Sequence, residues 1–120
     1  PEAVNNRCVK SHEYIFLFTK SKQYYFNADA IKIRDVRRGS VWSFNTASSG
    51  EAHFAVFPEE LPALCIKAGT KEGDTVLDPF LGSGTTALIA QKLQRKWVGI
   101  ELNPKYIEII KRRTAQKELF

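Results

Sequence analysis

Val76-Leu77-Asp78-Pro79-Phe80-Leu81-Gly82-Ser83-Gly84-Thr85-Thr86-Ala87 is the stretch on which the reading of this chain turns. A short apolar run ends on an acid, two glycines follow one residue apart, and a helix-compatible segment begins at Thr85. The order is strand, tight loop, helix. Gly82 permits a turn with positive φ, and Gly84 permits a ligand to approach the backbone closely. The N-terminus of the following helix offers free N–H groups and a partial positive charge.

The same alternation continues outward. Pro58-Glu59-Glu60-Leu61 opens a helix, because proline suits a first helical position and acids suit the positive end of the dipole. Leu61, Leu64, Cys65 and Ala68 keep helical spacing up to Gly69, a candidate C-cap. Thr75 to Asp78 reads as a strand, Thr85 to Leu93 as a helix, and Trp97 to Glu101 as a second strand. Asn103 caps a last helix with Pro104 at its first position and Tyr106, Ile107, Ile110 and, at the same period, Arg113 on one face. Helix, strand, helix, strand, helix predicts an α/β fold, Rossmann-like and partial, with a parallel sheet and helices on both faces.

Residues 1–52 differ in character from residues 53–120. His12 to Thr19 reads as a buried strand, being short, aromatic and β-branched. Tyr24-Tyr25-Phe26 reads as a short extended piece that joins the core. Val41-Trp42-Ser43-Phe44 alternates as an edge strand would. Arg34 to Ser40 is a basic loop, and Asn45 to Gly50 a polar one.

Composition bounds the rest. The chain has 120 residues, 43% of them hydrophobic and 26% charged, which is room for about one small globular domain and no sign of disorder. No apolar stretch is long enough to span a membrane, and the N-terminus lacks a signal peptide's apolar core, so cytoplasmic residence is expected. Cys8 and Cys65 lie in no CxxC or His/Cys cluster, so each reads as a partly buried thiol and no metal site is expected. A net charge of +5 favours an anionic partner. The chain opens on Pro1 and contains no methionine, so it reads as a piece of a longer polypeptide.

Glu101 ends the second strand about 20 residues after the glycine loop, where an acid accepts hydrogen bonds from a ribose diol. Gly82-x-Gly84-x-x-Ala87 fits the dinucleotide fingerprint in its G-x-G-x-x-A form. Two cofactor classes therefore compete. A nicotinamide dinucleotide places a pyrophosphate on the loop. S-adenosylmethionine (SAM) places an ammonium and a carboxylate there. Asp78, just before the loop, suits the ammonium and repels the pyrophosphate, which favours SAM. No Gly-Lys-Ser/Thr follows, which excludes a nucleotide-hydrolase phosphate loop.

At this point the residues resemble a known family. Asp78-Pro79-Phe80-x-Gly82-Ser83-Gly84-Thr85-Thr86 resembles motif I of the amino-methyltransferases that modify adenine N6 or cytosine N4 in DNA. Gly99-Ile100-Glu101-Leu102-Asn103-Pro104-x-Tyr106-Ile107 resembles their motif II. His53-Phe54-Ala55-x-Phe57-Pro58-x-x-Leu61 resembles their motif X, and His12 to Ser21 their motif VIII. Pro1 to Val4 and Val41-Trp42 also match. The order is that of the β arrangement, in which the catalytic half precedes the cofactor half. The family's Asp/Ser/Asn-Pro-Pro-Tyr/Phe signature is absent, since the chain has no Pro-Pro. The resemblance therefore puts the catalytic residues upstream of Pro1 and implies that these 120 residues alone are inactive.

The resemblance implies a parent enzyme that transfers a methyl group from SAM to an exocyclic amine of a flipped-out base in double-stranded DNA. Asp78, Pro79, Phe80, Gly82, Ser83, Gly84, Thr85 and Thr86 would hold the methionine end of SAM. Glu101 would hold the ribose, with Leu102 against adenine and Asn103 beside them. Phe54, Ala55, Phe57 and Pro58 would close over the methionine moiety. Lys32, Arg34, Arg37 and Arg38 are candidate DNA contacts, while Lys111-Arg112-Arg113 reads as cations suited to a helix C-terminus. The expected partners are DNA, the missing catalytic half and, through bare apolar faces, another copy of the chain. A non-catalytic SAM-binding subunit and a NAD-binding module remain the alternatives.

Overall fold

A computed structural model of the protein describes Cys8, residues 11–45 and residues 57–115. A single 3-10 turn, Asp29–Ile31, precedes α1 (Glu60–Gly69), β1 (Thr75–Asp78), α2 (Thr85–Lys92), β2 (Lys96–Gly99) and α3 (Pro104–Ala115). The expected order of helices and strands is present, with boundaries within about two residues. β1 and β2 pair in parallel, Val76 opposite Trp97 and Leu77 opposite Val98.

The pleat sorts the sheet into two unlike faces. Val76 and Trp97 point to the helical side, where they pack with Ile66 of α1 and Ile89 and Ala90 of α2. Trp97 also reaches a neighbouring cluster of Leu81, Ala87 and Ile110, which brings in α3. Leu77 and Val98 point the other way and stay 63% and 53% exposed. Among the described residues, then, helices cover one face of the sheet. The second layer expected for a doubly wound sheet is not formed by these residues.

α1 is apolar on two sides. Ile66 faces α2 and the sheet, while Leu64 and Ala68 face Ile31, Trp42 and Phe44. The linear spacing showed the second stripe and not the first. Through that second stripe, α1 holds residues of the N-terminal region. The backbone adds to this, because Asn27 N–H donates to Ala68 O at 2.8 Å, satisfying a carbonyl at the helix C-terminus. Gly69 is the last helical residue, and Thr70 is the cap. Arg95 then ties two helix ends together: its guanidinium donates to Thr70 O and Oγ1 after α1 and to Leu93 O after α2.

The N-terminal expectations fare unevenly. His12 to Thr19 is extended but forms no ladder, and its side chains are exposed. Its period of two survives as a row of rings on one side, His12–Tyr14–Phe16–Phe18, with centroids 5.4, 6.0 and 5.9 Å apart. A strand is stabilised by a ladder to a neighbouring strand, and the sheet of the described residues consists of β1 and β2 alone. Tyr24, Tyr25 and Phe26 are likewise exposed rather than core. Val41 to Phe44 forms no strand either, yet alternates in burial, with Trp42 and Phe44 on the α1 cluster. Cys8 is exposed, and Cys65 is half-buried, where burial pushes its thiol pKa up. No helix among the described residues is long and apolar enough to cross a membrane.

Gly99 shows how tightly the strand ends are packed. A Cβ there would meet Leu81 Cδ2 and lie 3.0 Å from Leu81 Cγ, and Leu81 is buried. Gly99→Ala is expected to destabilise the fold by about 1–3 kcal/mol through overpacking. Gly39→Ala, where nothing lies within 4 Å, should leave the urea midpoint nearly unchanged. The bare face generates a second expectation. An exposed apolar face on a sheet drives association, so these 120 residues alone should sediment with concentration-dependent mass. Val98→Lys should shift that equilibrium toward monomer, and wild-type residues sedimenting as a monomer at all concentrations would contradict it.

Candidate functional site

Both strands stop at the same level, and the segments leaving them are laced together. Ile100 N–H donates to Asp78 O at 3.0 Å, and Leu81 N–H donates to Ile100 O at 2.9 Å. The glycine loop therefore runs beside residues 100–103. Across this seam Glu101 Oε2 accepts the Gly82 N–H at 2.8 Å, while Oε1 accepts the Asn103 N–H at 2.7 Å. Each carboxylate oxygen keeps a further lone-pair direction for a ligand hydroxyl. Asp78 Oδ1 accepts the Phe80 N–H at 3.0 Å, an Asx turn that bends the chain off β1.

The two glycines do different jobs. Gly82 has φ +54° and an open side-chain position, the nearest atom being Phe80 O at 3.9 Å. Gly84 has φ +85°, and a Cβ there would sit 2.9 Å from Ile110 Cγ1 of α3. Gly84 thus lets α3 press against the loop, and the close neighbour that demands glycine is protein.

The other predicted residues are placed as follows. Thr85 is buried, and its hydroxyl lies 3.4 Å from Arg113 Nη1, so it faces α3. Thr86 is half-buried. Asn103 caps α3, its Oδ1 accepting the Lys105 N–H at 3.0 Å, so its side chain is engaged with the helix. Phe80 and Leu102 flank the loop with 88% and 93% exposure, large apolar groups with little packed against them. Pro79 is exposed, Phe57 is exposed and Pro58 is half-buried. Phe54 and Ala55 lie outside the described residues, as does His53. No group of three or more metal-ligating side chains occurs among the described residues.

The basic loop divides. Ile33 and Val36 exchange both backbone hydrogen bonds, at 3.0 and 2.9 Å, closing a two-residue turn with Arg34 at φ +48° and Asp35 at φ +64°. Arg38 is committed to the fold, its Nε donating to Ile31 O at 3.0 Å and its guanidinium lying over Trp42. Lys32 pairs with Asp29 at 2.7 Å, and that cation holds the Asp29 carboxyl below its ordinary pKa. Arg34 and Arg37 are the two exposed cations of the cluster that the hydrogen bonds and ion pairs of the described residues leave outward.

Arg113 makes a contact with the loop that the linear reading did not assign. Its Nη1 donates to Ser83 O at 2.8 Å and Ser83 Oγ at 3.1 Å, and its Nη2 lies 3.7 Å from Glu59 Oε1. A basic residue at a helix end is unremarkable in sequence, and thirty positions separate it from the loop. Its helical period, three residues past Ile110, was the available signal, because Ile110 is the residue packed on Gly84.

Comparison with known proteins gives the family. The family model described as DNA methylase matches residues 1–112. The type II methyltransferase M.SmaI of Serratia marcescens is 44% identical over 98% of this chain and 42% of its own length. M.Cfr9I of Citrobacter freundii is 47% identical over 91% of this chain and 38% of its own. The chain thus spans about two fifths of these relatives. Among solved structures, the cytosine-N4-specific PvuII DNA methyltransferase superposes with a TM-score of 0.67 at 25% identity, covering 80% of this chain and 38% of that one. The SAM complex of M1.HpyAVI superposes with a TM-score of 0.59 at 30% identity, covering 77% and 44%. A glycine loop bridged to the acid after the second strand, in a chain matched along nearly its whole length, identifies this protein as a member of the DNA methylase family.

Proposed function

We propose that these residues are the SAM-binding part of a DNA methyltransferase that acts on an exocyclic amine, adenine N6 or cytosine N4. The observation that carries the proposal is the Glu101 carboxylate resting on the Gly82 N–H at 2.8 Å. A carboxylate in that place meets a ribose diol with acceptors. It also takes the loop N–H that a pyrophosphate would need, and adds negative charge beside it, which disfavours a dinucleotide. Asp78 supplies a second acid at the mouth of the loop for an ammonium group. Leu102, exposed beside Glu101, would cover the adenine ring.

SAM, when bound, supplies an electrophilic methyl group. The chain's own residues bind and orient it: Glu101 by the ribose, the loop from Asp78 to Thr86 by the amino-acid end. Phe54, Ala55, Phe57 and Pro58 would close over that end and exclude water. The Pro-Pro segment that receives the base belongs to sequence outside these residues, consistent with relatives more than twice as long. The exposed sheet face of Leu77 and Val98 supports the same reading, because among the described residues it lacks the neighbours a complete sheet would supply. Arg34 and Arg37 are the cations of the basic loop left to meet DNA phosphates.

Glu101→Ala in the full chain should weaken SAM binding by about tenfold to a hundredfold, the loss of hydrogen bonds to a charged acceptor. Calorimetry with SAM and with NAD separates the readings: SAM should bind, and NAD should neither bind nor displace it. NAD binding that Glu101→Ala abolishes would favour the dinucleotide module instead. For DNA, Arg34→Ala and Arg37→Ala should each weaken binding to all sequences alike and lower the slope of log K against log salt by about 1. Arg38→Ala should act first on thermal stability.

A further inference from the structure

The loop between β1 and α2 carries a peptide that glycine would leave loose. Ser83 sits between Gly82 and Gly84, and glycine accepts either orientation of an adjoining peptide plane at little cost. In this fold the Ser83–Gly84 peptide is held at both ends. Its N–H, from Gly84, donates to Leu81 O at 3.0 Å. Its C=O accepts Arg113 Nη1 at 2.8 Å, and the same nitrogen reaches Ser83 Oγ at 3.1 Å and Thr85 Oγ1 at 3.4 Å. Ile110, one turn earlier on α3, closes against Gly84. The other guanidinium nitrogen faces Glu59 at the start of α1, which limits where Arg113 can swing.

We propose that Arg113 is a positioning residue for the cofactor: it locks the Ser83–Gly84 peptide and the Ser83 and Thr85 hydroxyls in the one arrangement that receives the amino-acid end of SAM. This rests on the SAM reading above. The Arg113 contacts described above are to protein groups. Arg113 acts through the loop, and the part of the ligand affected is the part the loop holds. The adenosine part is held separately, by Glu101 and Leu102. The fork serves two elements at once, Nη1 on the loop and Nη2 toward Glu59, and a single lysine ammonium on a flexible stem does not fix both directions.

The separation of the two ligand halves supplies the test. SAM and 5′-methylthioadenosine share adenine, ribose and sulfur, and only SAM has the amino-acid end. Their affinities are measured by calorimetry on the full chain for wild type, Arg113→Ala and Arg113→Lys. Arg113→Ala should weaken SAM by about tenfold or more while 5′-methylthioadenosine changes by less than about twofold, and Arg113→Lys should recover part of the loss. Retained 5′-methylthioadenosine binding also shows that the variant is folded. Equal weakening of both ligands, or of neither, overturns the proposal and leaves the SAM reading standing. A wild-type chain that binds neither ligand overturns both.

Discussion

The Glu101 carboxylate, accepting one N–H from the glycine loop and another from the start of α3, is the contact on which the site depends. Each strand ends in an outgoing segment with unpaired backbone donors. A single anion placed between them satisfies a donor on each and sets their spacing. It does so beside the N-terminus of α2, where the local field already favours negative charge. Arg113 grips the same loop through Ser83. The loop is held between an acid after β2 and a base on α3, and both reach it after the chain has gone round the fold.

That clamp works because the packing beneath it leaves no slack. Leu81 presses on Gly99, and Ile110 presses on Gly84. Side chains at either glycine would force the loop off the strand ends or α3 off the loop. Trp97 lies under this contact and joins it to the α1–α2 cluster, so the loop's position is transmitted from the core. The Arg95 guanidinium serves a similar purpose at the opposite end of the sheet, where α1 and α2 finish together.

The helical layer is complete where the sheet is not. β1 and β2 half-bury Val76 and Trp97 against the helices and expose Leu77 and Val98 on the other face. The His12 to Phe18 segment keeps the period of a strand outside the sheet, with its aromatic rings in contact along one side. Both features have one cause: strand pairing and face-covering are relations between segments, and among the described residues the sheet stops at two strands.

Local chemistry is what the sequence determined unaided. Thr75 to Asp78 alternates and β-branches into a strand, Gly82 and Gly84 turn it, and Asn103-Pro104 starts a helix. Each outcome depends on residues a few positions apart, and each is observed. The acid of the site, Glu101, was legible for the same reason, as the last residue of a short apolar run. The tertiary structure decided the rest. It turned α1 into a helix with two apolar sides and gave Gly84 to Ile110. It spent Arg38 on Trp42 and Lys32 on Asp29, leaving Arg34 and Arg37 outward, and it brought Arg113 to Ser83. Spacing marked one stripe of α1 and the helix face of Arg113 but named none of these partners, because each contact joins groups whose proximity exists only once the helices have packed on the sheet. Burial and hydrogen bonding then choose among partners that the linear chain holds far apart.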